Sequence, residues 1–88
     1  MYDLDVKPKV DKIFKKLSKK NPKQLKIIAK KILEIRTYPL HKYKFLKKPL
    51  QKFNRTHIDD HFILMFHVNH KKKLITIYKY KHHDEAYK

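Results

Sequence analysis

Two runs in the last third of the chain constrain the fold more than anything else: HFILMFHV at residues 61–68 and KLITIYKY at residues 73–80. Both are rich in β-branched and aromatic residues, and the polar stretch Asn69-His70-Lys71-Lys72 separates them, which predicts an antiparallel hairpin. Along the first run Phe62, Leu64, Phe66 and Val68 alternate with His61, Ile63, Met65 and His67. One face is therefore wholly apolar, and the other, with its two histidines, is predicted to be a concave, partly wet surface. In an antiparallel pair the start of one strand lies beside the end of the other. Arg55, His57, Asp60 and His61 on entry are thus expected to meet Lys79, His82, His83, Asp84 and Tyr87 on exit, at one end of the sheet.

The preceding residues supply a cover for that sheet. Tyr2, Leu4 and Val6 alternate with Asp3, Asp5 and Lys7, a short strand with one apolar face. Pro8 fits a first helical turn, and Val10, Ile13, Phe14 and Leu17 follow at i, i+3, i+4, i+7, which predicts a helix to about Lys20. Asn21-Pro22 offers an N-cap and an N1 proline to a second helix, striped by Leu25, Ile28, Ala29, Ile32 and Ile35 and ending before Pro39. From Pro39 to Phe53 two prolines and five lysines read as a loop, with a strand starting near Gln51. Within it Phe45, Leu46 and Leu50 are read as plugs into the core. Lys44, Lys47, Lys48 and Lys52, interleaved with aromatic residues, suit phosphates and stacked bases. The order is strand, helix, helix, strand, strand, strand: an α+β fold with a two-helix antiparallel hairpin on one face of a small antiparallel sheet, residues 1–88 forming one domain.

Composition narrows the function. Twenty-four Lys and Arg stand against eight Asp and Glu, a formal charge of +16. Such self-repulsion points to an anionic partner. Without glycine there is no glycine-rich phosphate loop or dinucleotide fingerprint, and without cysteine no disulfide or thiolate metal site. No apolar run approaches the ~20 residues of a membrane span, and MYDLDVKP lacks a signal peptide's apolar stretch, so a cytoplasmic protein with no membrane contact is expected. Seven histidines could suggest a metal. Adjacent donors such as His82 and His83 point to opposite faces of a strand, however, and no HxxxH or HExxH spacing occurs. No metal or cofactor is expected. Imidazole alone can give or take a proton near neutrality, as RNA transesterification requires, and nearby Lys or Arg would stabilise charge on a five-coordinate phosphate.

The runs PLQKFNRTHIDDHFILMFHV and KLITIYKYKHHDEAY, with the helical hairpin and short strand before them, resemble toxins of the RelE/ParE superfamily, nearest the RelE/YafQ-like mRNA interferases. The ending His83-Asp84-Glu85-Ala86-Tyr87 and the entry 55–62 carry most of the likeness. The resemblance implies metal-independent cleavage of mRNA on the ribosome, by attack of a 2′-hydroxyl on the adjacent phosphate. It implies a RelB-like antitoxin partner in a hetero-oligomer as well. Carried over by position, His83 and His57 would transfer protons, Lys79 and Arg55 would hold phosphate, and Tyr87 would stack on or orient a base. His61 falls where the branch has an acidic residue, Phe62 where it has Trp, and Lys79 where it has Arg, which loses a two-point grip on phosphate. Two alternatives remain: a ParE-like gyrase poison without catalysis, and an inactive RNA-binding module.

Overall fold

The computed structural model describes residues 1–40, 44–45 and 53–82. Their elements are β1 (Asp3–Val6), α1 (Pro8–Lys20), α2 (Pro22–Thr37), β2 (Lys44–Phe45), β3 (Asn54–Ile58), β4 (Phe62–Asn69) and β5 (Leu74–His82). The strands form one sheet in the order β1-β5-β4-β3-β2.

Both helices begin on proline, where a missing N–H leaves no intrahelical bond unmade. Asn21 serves both. Its N–H donates to Leu17 O at 2.8 Å and closes α1, while its side-chain oxygen accepts from Gln24 N at 3.2 Å and opens α2. Val10 is buried, with Ile13, Phe14 and Leu17 packed beside it. On α2 the buried line is Gln24, Ile28, Ile32 and Ile35. Ala29, expected on that stripe, is exposed. The 4-4-3 spacing of the buried residues centres the contact on Ile28 and turns Ala29 outward.

The expected hairpin is β4–β5, with its turn at 70–73, one residue later than its sequence reading. Asn69 Oδ1 accepts from Lys72 N at 3.0 Å, and Lys73 takes the left-handed conformation at φ 52°. Phe62, Leu64, Phe66 and Val68 do share the helix-facing side, where Ile35, Phe66, Ile75 and Ile77 are fully buried. Burial of each such side chain is worth roughly 1.5–3 kcal/mol.

Three features depart from the sequence reading. The sheet is mixed: β1 runs parallel to β5, with Leu4 opposite Ile75 and Val6 opposite Ile77. Between β1 and β5 the chain passes through both helices and three strands, so no tight turn fixes their relative direction. Second, Lys44–Phe45, read as loop, pairs as a short edge strand with Asn54 and Arg55. The strand start expected near Gln51 lies outside the described residues, and β3 begins at Asn54. Third, the face turned away from the helices is not uniformly wet. Ile63 and Met65 are buried there, with Phe53 packed against them.

Candidate functional site

That outer face gathers Arg55, His57 and Lys79 of the cations named from sequence, and strand register does it. β3 and β5 flank β4, with His57 opposite Ile63 and Ile63 opposite Lys81. One step along, Arg55 is opposite Met65 and Met65 opposite Lys79, while Lys44 on β2 is opposite Arg55. Paired residues in a sheet share a face, so His57, Arg55, Lys79 and Lys81 surround the buried pair Ile63 and Met65. Strands lie about 4.8 Å apart and rise about 3.4 Å per residue, so the four Cα positions frame a patch of roughly 10 by 7 Å. Long cationic side chains on such a frame are able to converge on one anionic group from opposite sides.

The exposures fit. His57, Lys79 and Lys81 are exposed and Arg55 is half-buried. An imidazole and three cations on one open face can move a proton and hold a phosphodiester. Lys81 was not singled out in the sequence, although counting by two from Lys79 leads to it.

The other named residues divide. Entry and exit strands do meet: the turn at 59–61 sets the His61 ring parallel to His82, centroids 6.1 Å apart at 8°. Asp59 makes that turn at φ 56°, its Oδ1 accepting from Asp60 N at 2.9 Å. The stack belongs to the helix side, because His82 is opposite Phe62 and meets its ring edge-on at 5.4 Å. Phe62 stacks on Tyr80 at 5.3 Å, and Phe14 meets Tyr80 edge-on at 6.0 Å. Phe62, expected to touch RNA, is thus part of an aromatic cluster under the helices. The sheet separates it and His61 from His57, Arg55 and Lys79. His83, Tyr87, Lys47, Lys48 and Lys52 lie outside the described residues.

Tyr80 is buried, and no described residue hydrogen-bonds its hydroxyl. Burial first, and the Asp59 carboxylate second, push its phenol up to about 12. Among the described residues no three His, Cys, Asp or Glu side chains form a group that could hold a metal ion. None of the described helices is long and apolar enough to cross a membrane.

No family model matches the sequence. A protein of Methanocaldococcus jannaschii named "Putative toxin RelE4" is 46% identical over 88 residues, covering 100% of this chain and 93% of its own length. The chain belongs to the RelE/ParE superfamily of toxins. A Methanosarcina mazei protein without a described function is 45% identical over 87 residues, 99% of this chain and 100% of its own. Solved superfamily structures share the fold at lower identity. The Staphylococcus aureus YoeB-YefM complex aligns at TM-score 0.79 and 21% identity over 94% of this chain and 98% of that one. The YoeB/ParE toxin of Agrobacterium tumefaciens aligns at 0.81 and 10% identity over 92% and 98%. A metal-bound toxin from Helicobacter pylori aligns at 0.79 and 24% identity over 97% and 98%. For this RelE/ParE chain, those likenesses establish the two-helix, mixed-sheet fold.

Proposed function

We propose that this chain is the toxin of a toxin–antitoxin pair, a cytoplasmic, single-domain endoribonuclease that cuts mRNA on the ribosome without a metal. The observation that carries the reading is the shared outer face of His57, Arg55, Lys79 and Lys81. In the reaction the substrate 2′-oxygen attacks the adjacent phosphorus and the bond from phosphorus to the 5′-oxygen breaks. The products are a 2′,3′-cyclic phosphate and a 5′-hydroxyl. One proton leaves the attacking hydroxyl and one reaches the leaving oxygen, so two proton carriers suffice. His57 takes one role and His83, named from the resemblance, the other. Arg55, Lys79 and Lys81 balance the charge that builds on the phosphate, and Tyr87 orients a base. The solved YoeB-YefM assemblies, one of them heterotetrameric, support an antitoxin as the second partner.

The test is induction of the toxin with its His57→Ala and Lys79→Ala variants, followed by mapping of new 5′ ends on messages. Wild type should produce breaks within translated codons. His57→Ala should slow cleavage roughly 10²–10⁴-fold, the usual worth of a proton carrier. Lys79→Ala should slow it roughly 10²–10³-fold, as for loss of one charge-stabilising donor. Growth arrest without message breaks, accompanied by gyrase-linked DNA damage, would replace this reading with the gyrase-poison alternative.

A further inference from the structure

Beyond the His57 patch, the same face carries a feature that cleavage does not require. Lys7 lies at the N-cap of α1 and its side chain makes no capping bond. Ser, Thr, Asp or Asn is favoured there, and a cation faces the positive end of the helix dipole. The Lys7 ammonium instead stands over the Tyr78 ring, 5.3 Å from its centroid. The backbone arranges the meeting: Lys7 N donates to Ile77 O at 3.0 Å, extending the β1–β5 pairing by one residue beyond Val6.

Tyr78 is itself an exception. Met65 is opposite Lys79, yet Phe66 is opposite Ile77, so Tyr78 is the extra residue of a β-bulge. Such a bulge re-aims a side chain and recurs next to functional sites. Its ring lies against Phe53, centroids 4.8 Å apart, and Phe53 packs on the outer-face pair Ile63 and Met65. Tyr78 therefore opens onto the same face as Lys79, its neighbour in sequence. Asp5, opposite Thr76 on β1, bounds the surface on the far side with negative charge.

We propose that Lys7 and Tyr78 form a second nucleotide subsite, one step along the RNA from the phosphate held by Arg55 and Lys79. A base stacks on the Tyr78 ring, which Phe53 backs, and Lys7 swings from the ring to the flanking phosphate. Tyr78 is half-buried at the surface, where a cation over the ring is a weaker contact than a stacked base and a phosphate together, so the exchange favours bound RNA. The subsite takes any base, since stacking reads none, and it fixes the direction in which the message crosses the sheet, with Asp5 closing the path. The inference rests on the outer face being the RNA surface.

The test uses the full chain and a fluorescein-labelled single-stranded RNA octamer with 2′-O-methyl groups, which block cleavage. Affinity is followed by anisotropy across a salt series. Lys7→Gln, on an exposed side chain, should weaken binding about three- to tenfold. It should also reduce the slope of log affinity against log salt by about 0.7, one single-strand phosphate contact. Tyr78→Leu should weaken binding about tenfold with the salt slope unchanged, and Tyr78→Phe, which keeps the ring, should bind as wild type. If Lys7→Gln and Tyr78→Phe both bind as wild type while Lys79→Ala binds more weakly, Tyr78→Leu decides. Unchanged affinity there overturns the subsite and leaves the outer face standing. If Lys79→Ala also binds as wild type, the RNA surface lies elsewhere and the subsite falls with it.

Discussion

Tyr80 brings a hydroxyl into the helix-side core, where no described residue hydrogen-bonds it. An unpaired buried hydroxyl costs about 1–3 kcal/mol, and an apolar group of the same shape removes the penalty. Tyr80→Phe keeps the stack on Phe62 and the edge contact with Phe14, so it should raise stability by about 1 kcal/mol at pH 7. The same burial gives the site a signature in alkali. The folded-state phenol is raised from 10.0 to about 12, by burial first and the Asp59 carboxylate second. A raised acid means the native state holds its proton longer than the unfolded chain. Its contribution is complete below pH 10 and is lost as pH climbs from 10 through about 12. That rise corresponds to at most about 3 kcal/mol. Urea unfolding at pH 7, 10 and 11 should show the two proteins diverging above pH 10, with Tyr80→Phe losing less. Parallel curves would mean that Tyr80 ionises as freely in the fold as in the open chain.

At the scale of elements, Asn21 is the joint between the two helices, capping α2 through its side chain and closing α1 through its backbone. Asn21→Ala keeps the backbone bond and loses the cap, and it should cost about 1 kcal/mol, read as a lower urea midpoint at unchanged slope. An unchanged midpoint would assign the break between the helices to Pro22 alone. This joint was legible in the sequence because its signals are local: a capping side chain, a proline, and apolar residues at helical spacing. The β4–β5 hairpin was legible for the same reason, its two apolar runs being joined by a short polar turn. What the sequence left hidden depends on distant partners. Nothing in DLDV states that β1 will run parallel to β5 rather than against it, and Lys44–Phe45 is too short to carry a period. The bulge at Tyr78 arises from how β4 and β5 register, which neither strand states alone. The site divided along the same line. Arg55, His57 and Lys79 fall together because alternation and hairpin register are local. Phe62 went to the helix side by that same alternation, although its position in the resemblance had put it at the RNA. Half-buried against the core, Phe62 is held by its ring contacts with Tyr80 and His82.

Over the whole molecule the governing quantity is the charge of +16 on a body whose radius of gyration is 12.5 Å. At 0.01 M salt the screening length, about 30 Å, exceeds that radius, so cations repel across the entire protein; at 1 M it is about 3 Å and only contacts matter. The unfolded chain carries the same charge spread more widely, so low salt penalises the folded state more. Ion pairs such as Lys15–Asp11 and Lys31–Glu34 lie at the surface and contribute little against it. Raising sodium chloride should therefore raise Tm, by about 4–8 °C for each kcal/mol of repulsion relieved. RNA affinity must move the opposite way, because each phosphate contact releases counterions that salt returns. If Arg55, Lys79, Lys81 and Lys7 make the four proposed phosphate contacts, log affinity against log salt should have a slope of about −3. The opposite signs separate two roles for the charge. A Tm that rises while affinity stays flat would make the lysines a burden on folding with no part in binding. Both responses together would mean that the repulsion opposing the fold is what a bound RNA strand relieves.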